Sequence, residues 1–276
     1  MSNAAAPGTP VERAFVHTRS GRIHMASAGS GFPVLLLHQT PRSWDEYRDV
    51  LPILGRSYHA IAMDTVGFGD SQALPDRENS IERWACAAFD LLDALGIARA
   101  AVVGHHTGAV VALEMAASTP ARVPALVLSS CPYVDAARRA SHAGKRVIDE
   151  VERRPDGSHL TERWQRRQPF YPAGDLALLE RFMIDALKAG NLAAGGHRVV
   201  NRYAMETRIG RVACPTLVIA ATGDPHAYPA APHVAQAIAG SQRVDIAGGM
   251  VPLPDQMPGV FAATVLQFLG GLVLVP

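Results

Sequence analysis

A histidine stands in the middle of a glycine-flanked turn in the segment AAVVGHHTGAVVALEMAA, residues 100 to 117. An apolar run ends at Gly104 and a helical pattern begins after Gly108, which predicts a tight turn from a strand into a helix. Many enzymes carry a serine at the centre of such a turn and use it to attack a carbonyl group. Here the central residue is His106, whose imidazole can serve as a general base, a general acid or a nucleophile.

The composition of the chain favours chemistry on a small molecule. Its 276 residues are 48% hydrophobic, which is sufficient for a large core, and the formal net charge is only +1. The sequence has no broad basic field and no cluster of basic and aromatic residues that would bind nucleic acid. The cysteines Cys86, Cys131 and Cys214 lack the spacing of a zinc site or a redox pair. We therefore expect a small-molecule substrate, no metal, no cofactor and no nucleic-acid partner.

The two ends of the chain bear on location and partners. The N-terminal stretch MSNAAAPGTPVER has neither the charged region nor the apolar region of a secretory signal. No later segment reaches the ~18 uninterrupted apolar residues of a membrane span. These features predict a cytoplasmic protein without membrane contact. The apolar tail GGLVLVP, residues 270 to 276, could pack on a second copy, which leaves a homodimer open.

Apolar runs alternate with helical patterns along most of the chain. The runs at 33 to 38, 59 to 64 and 100 to 105 are nearly continuous, as in strands buried on both faces. Shorter strands are predicted as a hairpin within 13 to 27, and at 125 to 130, 216 to 221 and 242 to 246. Helical patterns cover about 44 to 54, 81 to 95, 108 to 118, 231 to 239 and 258 to 269. This alternation predicts an α/β fold, with a mostly parallel eight-stranded sheet and helices on both faces.

The alternation breaks between Cys131 and about Ile209, where helical stretches are separated by RRPDGS, FYPAGD and AGNLAAGG. We predict a helical insertion over the carboxyl edge of the sheet, where open α/β sheets bind ligands. This prediction divides the chain into a core, residues 1 to 130 and 210 to 276, and a helical cap, residues 131 to 209.

Motifs spread over residues 11 to 270 resemble those of the α/β-hydrolase superfamily. LLLHQTPRSW, residues 35 to 44, is similar to the oxyanion loop of epoxide hydrolases and dehalogenases, with Gln39 in place of the usual glycine. DTVGFGDS (64 to 71), VVGHHTGA (102 to 109) and PTLVIAATGDP (215 to 225) follow in the order of the family. The resemblance implies the α/β-hydrolase fold with a helical cap, and it identifies the turn at His106 as the nucleophile elbow.

The resemblance also implies the site residues, with two departures. The elbow residue of the family is Ser, Asp or Cys and is His106 here, while Met250 takes the place of the catalytic histidine in AGGMVPLPDQMPGVF, residues 247 to 261. Asp224 matches the catalytic acid. The backbone N–H groups of Gln39 and Thr107 are expected to form an oxyanion hole.

Further residues are predicted around this site. The reach of the two side chains leaves room for a water or a substrate atom between His106 and Asp224, whereas a direct contact would need the loop of Asp224 to shift. His105 and His38 are expected to be structural, with His38 in the oxyanion loop beside the pocket. The other residues expected to line the substrate pocket are Met250, Tyr171, Tyr203 and Trp164.

Three functions remain open from the sequence. The first is hydrolysis of an ester or lactone in a small, mostly apolar carbonyl substrate, with His106 as general base. The second is proton transfer without hydrolysis, as in a lyase, an isomerase, a cyclase or a cofactor-free oxygenase. The third is a binding protein without catalysis. Fold alone does not choose among them.

Overall fold

The computed structural model describes residues 9–274, and its centre is one eight-stranded sheet. The strands are β1 (Val11–Thr18), β2 (Gly21–Ala28), β3 (Pro33–Leu37), β4 (His59–Met63), β5 (Ala101–His105), β6 (Leu126–Ser129), β7 (Thr216–Ala221) and β8 (Gln242–Ile246). Their order in the sheet is β1-β2-β4-β3-β5-β6-β7-β8. The β1–β2 and β2–β4 pairs are antiparallel and all others are parallel. The predicted fold class and the predicted N-terminal hairpin are confirmed. Residues 1 to 8 and the last two residues of the apolar tail lie outside the described range.

Ten α-helices surround the sheet within the described residues. They are α1 (Leu51–Leu54), α2 (Ile81–Ala94), α3 (Thr107–Ser118), α4 (Ala136–His142), α5 (Ser158–Arg167), α6 (Leu176–Ala189), α7 (Leu192–Val200), α8 (Ala231–Ala237), α9 (Leu253–Gln256) and α10 (Pro258–Gly270). None of these helices combines the length and the apolar character needed to cross a bilayer.

The helix expected over residues 44 to 54 is wrong as a single element. The chain forms a 3₁₀ turn at Trp44–Tyr47 and then the one-turn helix α1. Pro52 has no backbone N–H and fits only in the first turn of a helix, so a continuous helix through it would lose a hydrogen bond and clash with the preceding turn.

The alternating side chains of the central strands build two cores, one on each face of the sheet. Leu35 and Leu37 belong to the core that holds α2 and α3, whereas Val34 and Leu36 belong to the core that holds α1 and α10. Burial on both faces explains why these strands read as continuous apolar runs. Helix α3 is buried from Thr107 to Ala117, so the turn before it is fixed on a rigid element.

Between β6 and β7 the described chain contains only helices, turns and loops, including α4 to α7. We call residues 131–209 the inserted segment. Its helix α7 packs against α3, and it contributes side chains to the cavity above the carboxyl ends of β5 and β6. The division of the chain into a core and a cap at these boundaries stays a prediction.

Candidate active site

His106 occupies a strained turn between β5 and α3. Its φ of 48° and ψ of −111° lie outside the regions that residues with a side chain normally adopt. Such a conformation costs roughly 1–3 kcal/mol and persists only where the surrounding structure imposes it. The turn is held by the backbone N–H of His106, which donates to the carbonyl of Ser129 in β6 at 2.9 Å. The geometry of a nucleophile elbow is therefore present although its usual nucleophile is absent.

The two glycines beside His106 are required by close backbone packing. A Cβ atom on Gly104 would lie 2.2 Å from the carbonyl oxygen of Gly108, and one on Gly108 would lie 1.9 Å from the carbonyl oxygen of Leu37. Real Cβ atoms do not approach other atoms so closely, so any side chain here would displace the helix from the sheet. The sharp turn depends on both glycines.

We expect Gly108→Ala to destabilise the protein by at least about 1–3 kcal/mol, the usual effect of a forced backbone shift. Urea unfolding of the two proteins measures the difference. Gly270→Ala is the matched control, because a Cβ at this exposed helical position meets no atom within 4 Å. Alanine there should be neutral or stabilising by up to about 1 kcal/mol. Equal effects of the two substitutions would contradict the steric account of the elbow.

The imidazole of His106 contacts the carboxylate of Asp224 directly. His106 Nε2 lies 2.7 Å from Asp224 Oδ2, and the two side chains are 15% and 0% exposed. The predicted bridging water or substrate atom is therefore wrong, because no atom fits in this gap. In this rotamer the pair has ion-pair distance but not the alignment of a hydrogen bond, so both atoms lack an aligned partner.

The environment of Asp224 favours its charged form. Burial would raise the pKa of this carboxyl, but the charge of His106 and its contact with the carboxylate lower it. The backbone N–H groups of His226 and Ala227 donate to Asp224 Oδ1 at 2.9 and 3.1 Å and lower the pKa further. The net pKa of Asp224 is well below its usual range, so the residue is an anion at neutral pH.

The neighbouring residues His105 and Met250 do not act as a second base. His105 Nε2 donates to the carbonyl of Val251 at 2.8 Å, and Nδ1 accepts from the hydroxyl of Ser129 at 2.9 Å. Burial lowers the pKa of His105 to about 3, so this ring is neutral and structural. The Met250 side chain packs beside Gly223, and its backbone N–H donates to Gln256 Oε1 at 2.7 Å.

The loop after β3 does not offer the backbone N–H of Gln39 that the sequence predicts as an oxyanion donor. The backbone N–H of Gln39 donates to Glu46 Oε2 at 2.8 Å, and its side-chain amide donates to Oε1 at 2.6 Å. Gln39 therefore cannot offer its N–H to a substrate oxyanion. The next residue, Thr40, lines the same cavity as His106, and its N–H has no protein acceptor within residues 9–274.

Thr107 is the second backbone donor expected at the site. It is the first residue of α3, so its N–H has no acceptor within the helix, and the residue lines the cavity. His38 only shapes the loop, since its Nδ1 donates to the carbonyl of Gln39 and its Nε2 accepts from the N–H of Thr65. The pair of open donors is thus Thr40 and Thr107.

A cavity of about 240 Å³ lies over His106, between the sheet and the inserted segment. Apolar side chains form part of its wall, such as Pro132, Ile148 and Val251. The remainder is basic and polar, with the cations Arg138, Lys145, Arg146 and Arg167 and the histidines His142, His197 and His226. None of the described residues that line it is acidic. The cavity therefore combines an apolar wall with a basic and polar one.

A family model described as the alpha/beta hydrolase fold matches residues 33–249. The chain belongs to the α/β-hydrolase fold family. Among its relatives, 2-hydroxymuconate semialdehyde hydrolase of Pseudomonas sp. (strain CF600) is 36% identical over 110 residues, which are 39% of this chain and 39% of that protein. Soluble epoxide hydrolase of Corynebacterium sp. (strain C12) is 39% identical over 95 residues, 34% of this chain and 33% of that protein. The matched part spans well under half the length of each relative.

Solved structures agree on the fold over nearly the whole chain. The enol-lactonase from Burkholderia xenovorans LB400 superposes with a TM-score of 0.76 and 21% identity, covering 93% of this chain and 100% of that chain. A thermophilic esterase from Thermogutta terrifontis gives a TM-score of 0.77 and 24% identity, covering 94% and 98%. At these identities the likeness shows the fold of this α/β-hydrolase and nothing about its substrate.

The aromatic residues expected in the pocket of this α/β-hydrolase lie elsewhere. Tyr171 and Trp164 pack with Phe182 in a small core inside the inserted segment. The hydroxyl of Tyr203 donates to Glu114 Oε2 at 2.6 Å. These three residues, together with Met250 and His38, are not among the residues that line the cavity. The aromatic rings stabilise the inserted segment itself, because its short helices need an apolar core of their own.

The loop after β3 of this α/β-hydrolase is fixed by a buried charge network around Arg42, which is fully buried. Arg42 Nε donates to Asp185 of α6 at 2.8 Å, Nη2 contacts Asp45 at 3.2 Å, and Nη1 contacts Asp255 of α9. Arg181 of α6 adds contacts to Asp45 and Asp255. The network joins the loop, the inserted segment and the late loop after β8.

Glu46 also lies within this network, and burial raises its pKa to about 8. The folded state therefore binds the carboxyl proton of Glu46 more tightly than the unfolded chain does. The stability that this proton contributes is complete below the usual pKa of 4.5 and is lost as pH rises through about 8. We expect the melting temperature to fall from pH 5 to pH 9 less steeply in Glu46→Gln than in the natural protein. Melting temperatures shift by about 2–4 °C per kcal/mol in a protein of this size, so calorimetry resolves this change.

The control Glu12→Gln alters an exposed side chain and should keep the dependence of melting temperature on pH of the natural protein. Parallel slopes for Glu46→Gln and the natural protein would contradict the raised pKa.

One group of three potential metal ligands occurs within the described residues, His24, Asp64 and Asp70, away from the cavity. Their oxygens and nitrogens already have partners, since Asp64 accepts from His24 and from the backbone N–H of Trp44, and Asp70 pairs with Lys188. This arrangement is typical of a structural hydrogen-bond cluster.

Proposed function

We propose that this α/β-hydrolase hydrolyses an ester or lactone bond of a small carbonyl substrate, with His106 as the general base. The observation that carries the proposal is the 2.7 Å contact between His106 Nε2 and Asp224 Oδ2 on a strained elbow. Nδ1 of the same ring has no protein partner among residues 9–274, and His106 lines the cavity. An imidazole held at one nitrogen by a carboxylate can take up a proton at the other.

The proposed reaction is direct attack by water. His106 Nδ1 removes a proton from water as the water oxygen bonds to the carbonyl carbon, and the carbonyl electrons move onto the carbonyl oxygen. This oxyanion accepts hydrogen bonds from the N–H groups of Thr40 and Thr107, each worth about 10²–10³ in rate in enzymes with such donors. When the intermediate collapses, the bond to the leaving alkoxide breaks and the imidazolium returns its proton to the alkoxide. The products are a carboxylic acid and an alcohol.

A covalent acyl-enzyme through oxygen is not part of this proposal. The elbow carries an imidazole in place of a hydroxyl, and Met250 offers no second imidazole to activate a hydroxyl elsewhere. A serine-directed fluorophosphonate should therefore leave the protein unlabelled in intact-mass spectrometry. Labelling at a residue beside the elbow would contradict the proposed role of His106.

The same observation supports a second reaction class, proton transfer at carbon. A single base paired with a carboxylate suffices for an isomerase, a lyase, a cyclase or a cofactor-free oxygenase, because none of these needs a protein nucleophile. Hydrolysis is the first choice because the relatives named above are hydrolases. Solvent isotopes separate the two classes: hydrolysis in H₂¹⁸O puts ¹⁸O into the acid product, whereas isomerisation in D₂O puts deuterium onto carbon.

The test is a panel of lactones and 4-nitrophenyl esters, incubated with the natural protein and with His106→Ala in H₂¹⁸O. We expect turnover by the natural protein, ¹⁸O in the acid product and loss of turnover in the variant. Turnover that survives in His106→Ala would overturn the proposal. If a panel compound raises the melting temperature of the natural protein and no compound of the panel is turned over, the third function, ligand binding without catalysis, would replace it.

A further inference from the structure

Four cations line the cavity that contains His106, namely Arg138, Lys145, Arg146 and Arg167. The whole chain has a formal net charge of only +1, so this concentration of positive charge is local. No described residue of the cavity lining is acidic. A cavity with this charge selects for an anionic ligand.

Two of the four cations are neutralised by carboxylates of the protein. Arg167 makes a buried double contact with Asp149, with Nε donating to Oδ1 at 2.8 Å. Arg146 pairs with Glu162 at 2.8 Å. Their charges therefore serve the packing of the inserted segment. Lys145 is exposed at the rim, where water solvates its ammonium group.

Arg138 differs from the other three. It is half-buried, its guanidinium makes no ion pair with a carboxylate among residues 9–274, and its buried Nε has no hydrogen-bond partner. The carboxylate of Asp135 caps α4 by accepting the backbone N–H of Arg138 at 2.8 Å. Leaving a buried guanidinium nitrogen without an acceptor is unfavourable, which points to an acceptor supplied by a ligand.

Local structure holds Arg138 at this position. Helix α4 begins shortly after β6, the strand next to the one that carries His106, and Asp135 fixes its first turn. Arg138 and His106 line one cavity of about 240 Å³, so a single small molecule can reach both side chains.

We propose that Arg138 binds a carboxylate group of the substrate, so that the substrate carries an anionic group separate from the bond that reacts at His106. This inference rests on the proposed function, because it names the class of substrate that the same site takes. A guanidinium and a carboxylate pair through two parallel hydrogen bonds, which fixes orientation as well as adding affinity. The binding group and the reacting carbonyl must then be separated by a short spacer.

The test compares esters that differ only in a terminal carboxylate. The probes are the mono-4-nitrophenyl esters of succinate, glutarate and adipate, each beside the neutral 4-nitrophenyl ester of equal chain length. We expect the natural protein to favour at least one carboxylate ester, and Arg138→Gln to raise its KM by about 10–10²-fold, as for loss of a charged hydrogen bond. The kcat should change less, and the neutral esters should be unaffected.

Arg139→Gln is the matched control, since Arg139 pairs with Glu206 and does not line the cavity with His106. It should retain the preference of the natural protein, and Arg138→Lys should recover part of it. No preference in the natural protein, or equal losses on charged and neutral esters in Arg138→Gln, would overturn the carboxylate site.

Glutarate binding measured by calorimetry separates this inference from the proposed function. We expect binding to the natural protein and to His106→Ala, and much weaker binding to Arg138→Gln. Glutarate binding of this kind without ester turnover would support the carboxylate site while hydrolysis fails. Ester turnover without preference and without glutarate binding would overturn the carboxylate site while hydrolysis stands.

Discussion

Replacing His106 by alanine is expected to lower kcat/KM for ester or lactone hydrolysis by about 10²–10⁴-fold, the usual contribution of a general base. The variant retains the two backbone donors of Thr40 and Thr107 but has no group that can take the proton from water. Steady-state kinetics on the best substrate of the panel measures the loss. Alanine carries a Cβ atom as histidine does, so the φ of 48° imposes similar strain in both proteins and the fold should survive.

Two further variants sharpen this expectation. Asp224→Asn removes the anion that stabilises the imidazolium and should lower kcat with little change in KM, because Asp224 is buried behind His106. His17→Ala changes an exposed histidine of the edge strand β1, four strands away from β5, and should leave activity unchanged. Wild-type activity in Asp224→Asn would contradict the proposed role of the 2.7 Å contact.

Arg42→Met is expected to destabilise the protein by about 3–5 kcal/mol, the range for removing one partner of a buried ion pair. Arg42 is fully buried and contacts Asp45, Asp185 and Asp255. Methionine has a similar length but no charge, so Asp45 and Asp255 would keep Arg181 as a partner, whereas Asp185 would lose its contact with a cation. Denaturant unfolding measures the loss. We expect the loop that carries Thr40 to loosen as well, because it is anchored by this residue.

The control for Arg42→Met is Arg19→Met, which removes an exposed arginine that pairs with Asp90 and Asp93. Its effect on stability should be much smaller, because the Arg19 side chain is 76% exposed and water already solvates its charge. Adding Asp255→Asn to Arg42→Met should recover part of the loss, since it removes one of the uncompensated charges. A change from Arg42→Met as small as that from Arg19→Met would contradict a structural role for the network.

The elbow was predictable from sequence because backbone geometry determines it. Gly104 and Gly108 stand at the spacing that a strand, a tight turn and a packed helix require. In the structure, a Cβ atom on Gly104 would overlap the backbone of Gly108, and one on Gly108 would overlap the backbone of Leu37. The strands were predictable for a similar reason, since burial on both faces leaves a continuous apolar run. The helix over 44 to 54 failed because Pro52 must lie in the first turn of a helix, so α1 cannot extend back to residue 44.

The details of the site depend on side-chain packing, which spacing does not encode. The direct contact of His106 with Asp224 follows from the rotamer of one ring, and the loss of Gln39 as a donor follows from the buried carboxylate of Glu46. The sequence predicts that the aromatic residues of the inserted segment line the pocket, yet Tyr171 and Trp164 pack with Phe182. Arg138 lies in a run of basic residues that reads as a solvated helix face, and only the packing of α4 beside the cavity distinguishes it.

Chemical rescue of His106→Ala by free imidazole tests the central claim most directly. The measurement is the initial rate of lactone hydrolysis against imidazole concentration, corrected for the reaction of imidazole alone. If the side chain acts as a base beside Asp224, the rate should rise with imidazole and saturate, and more basic substituted imidazoles should rescue better. A His106→Ala protein that hydrolyses the lactone at the natural rate without imidazole would contradict the account.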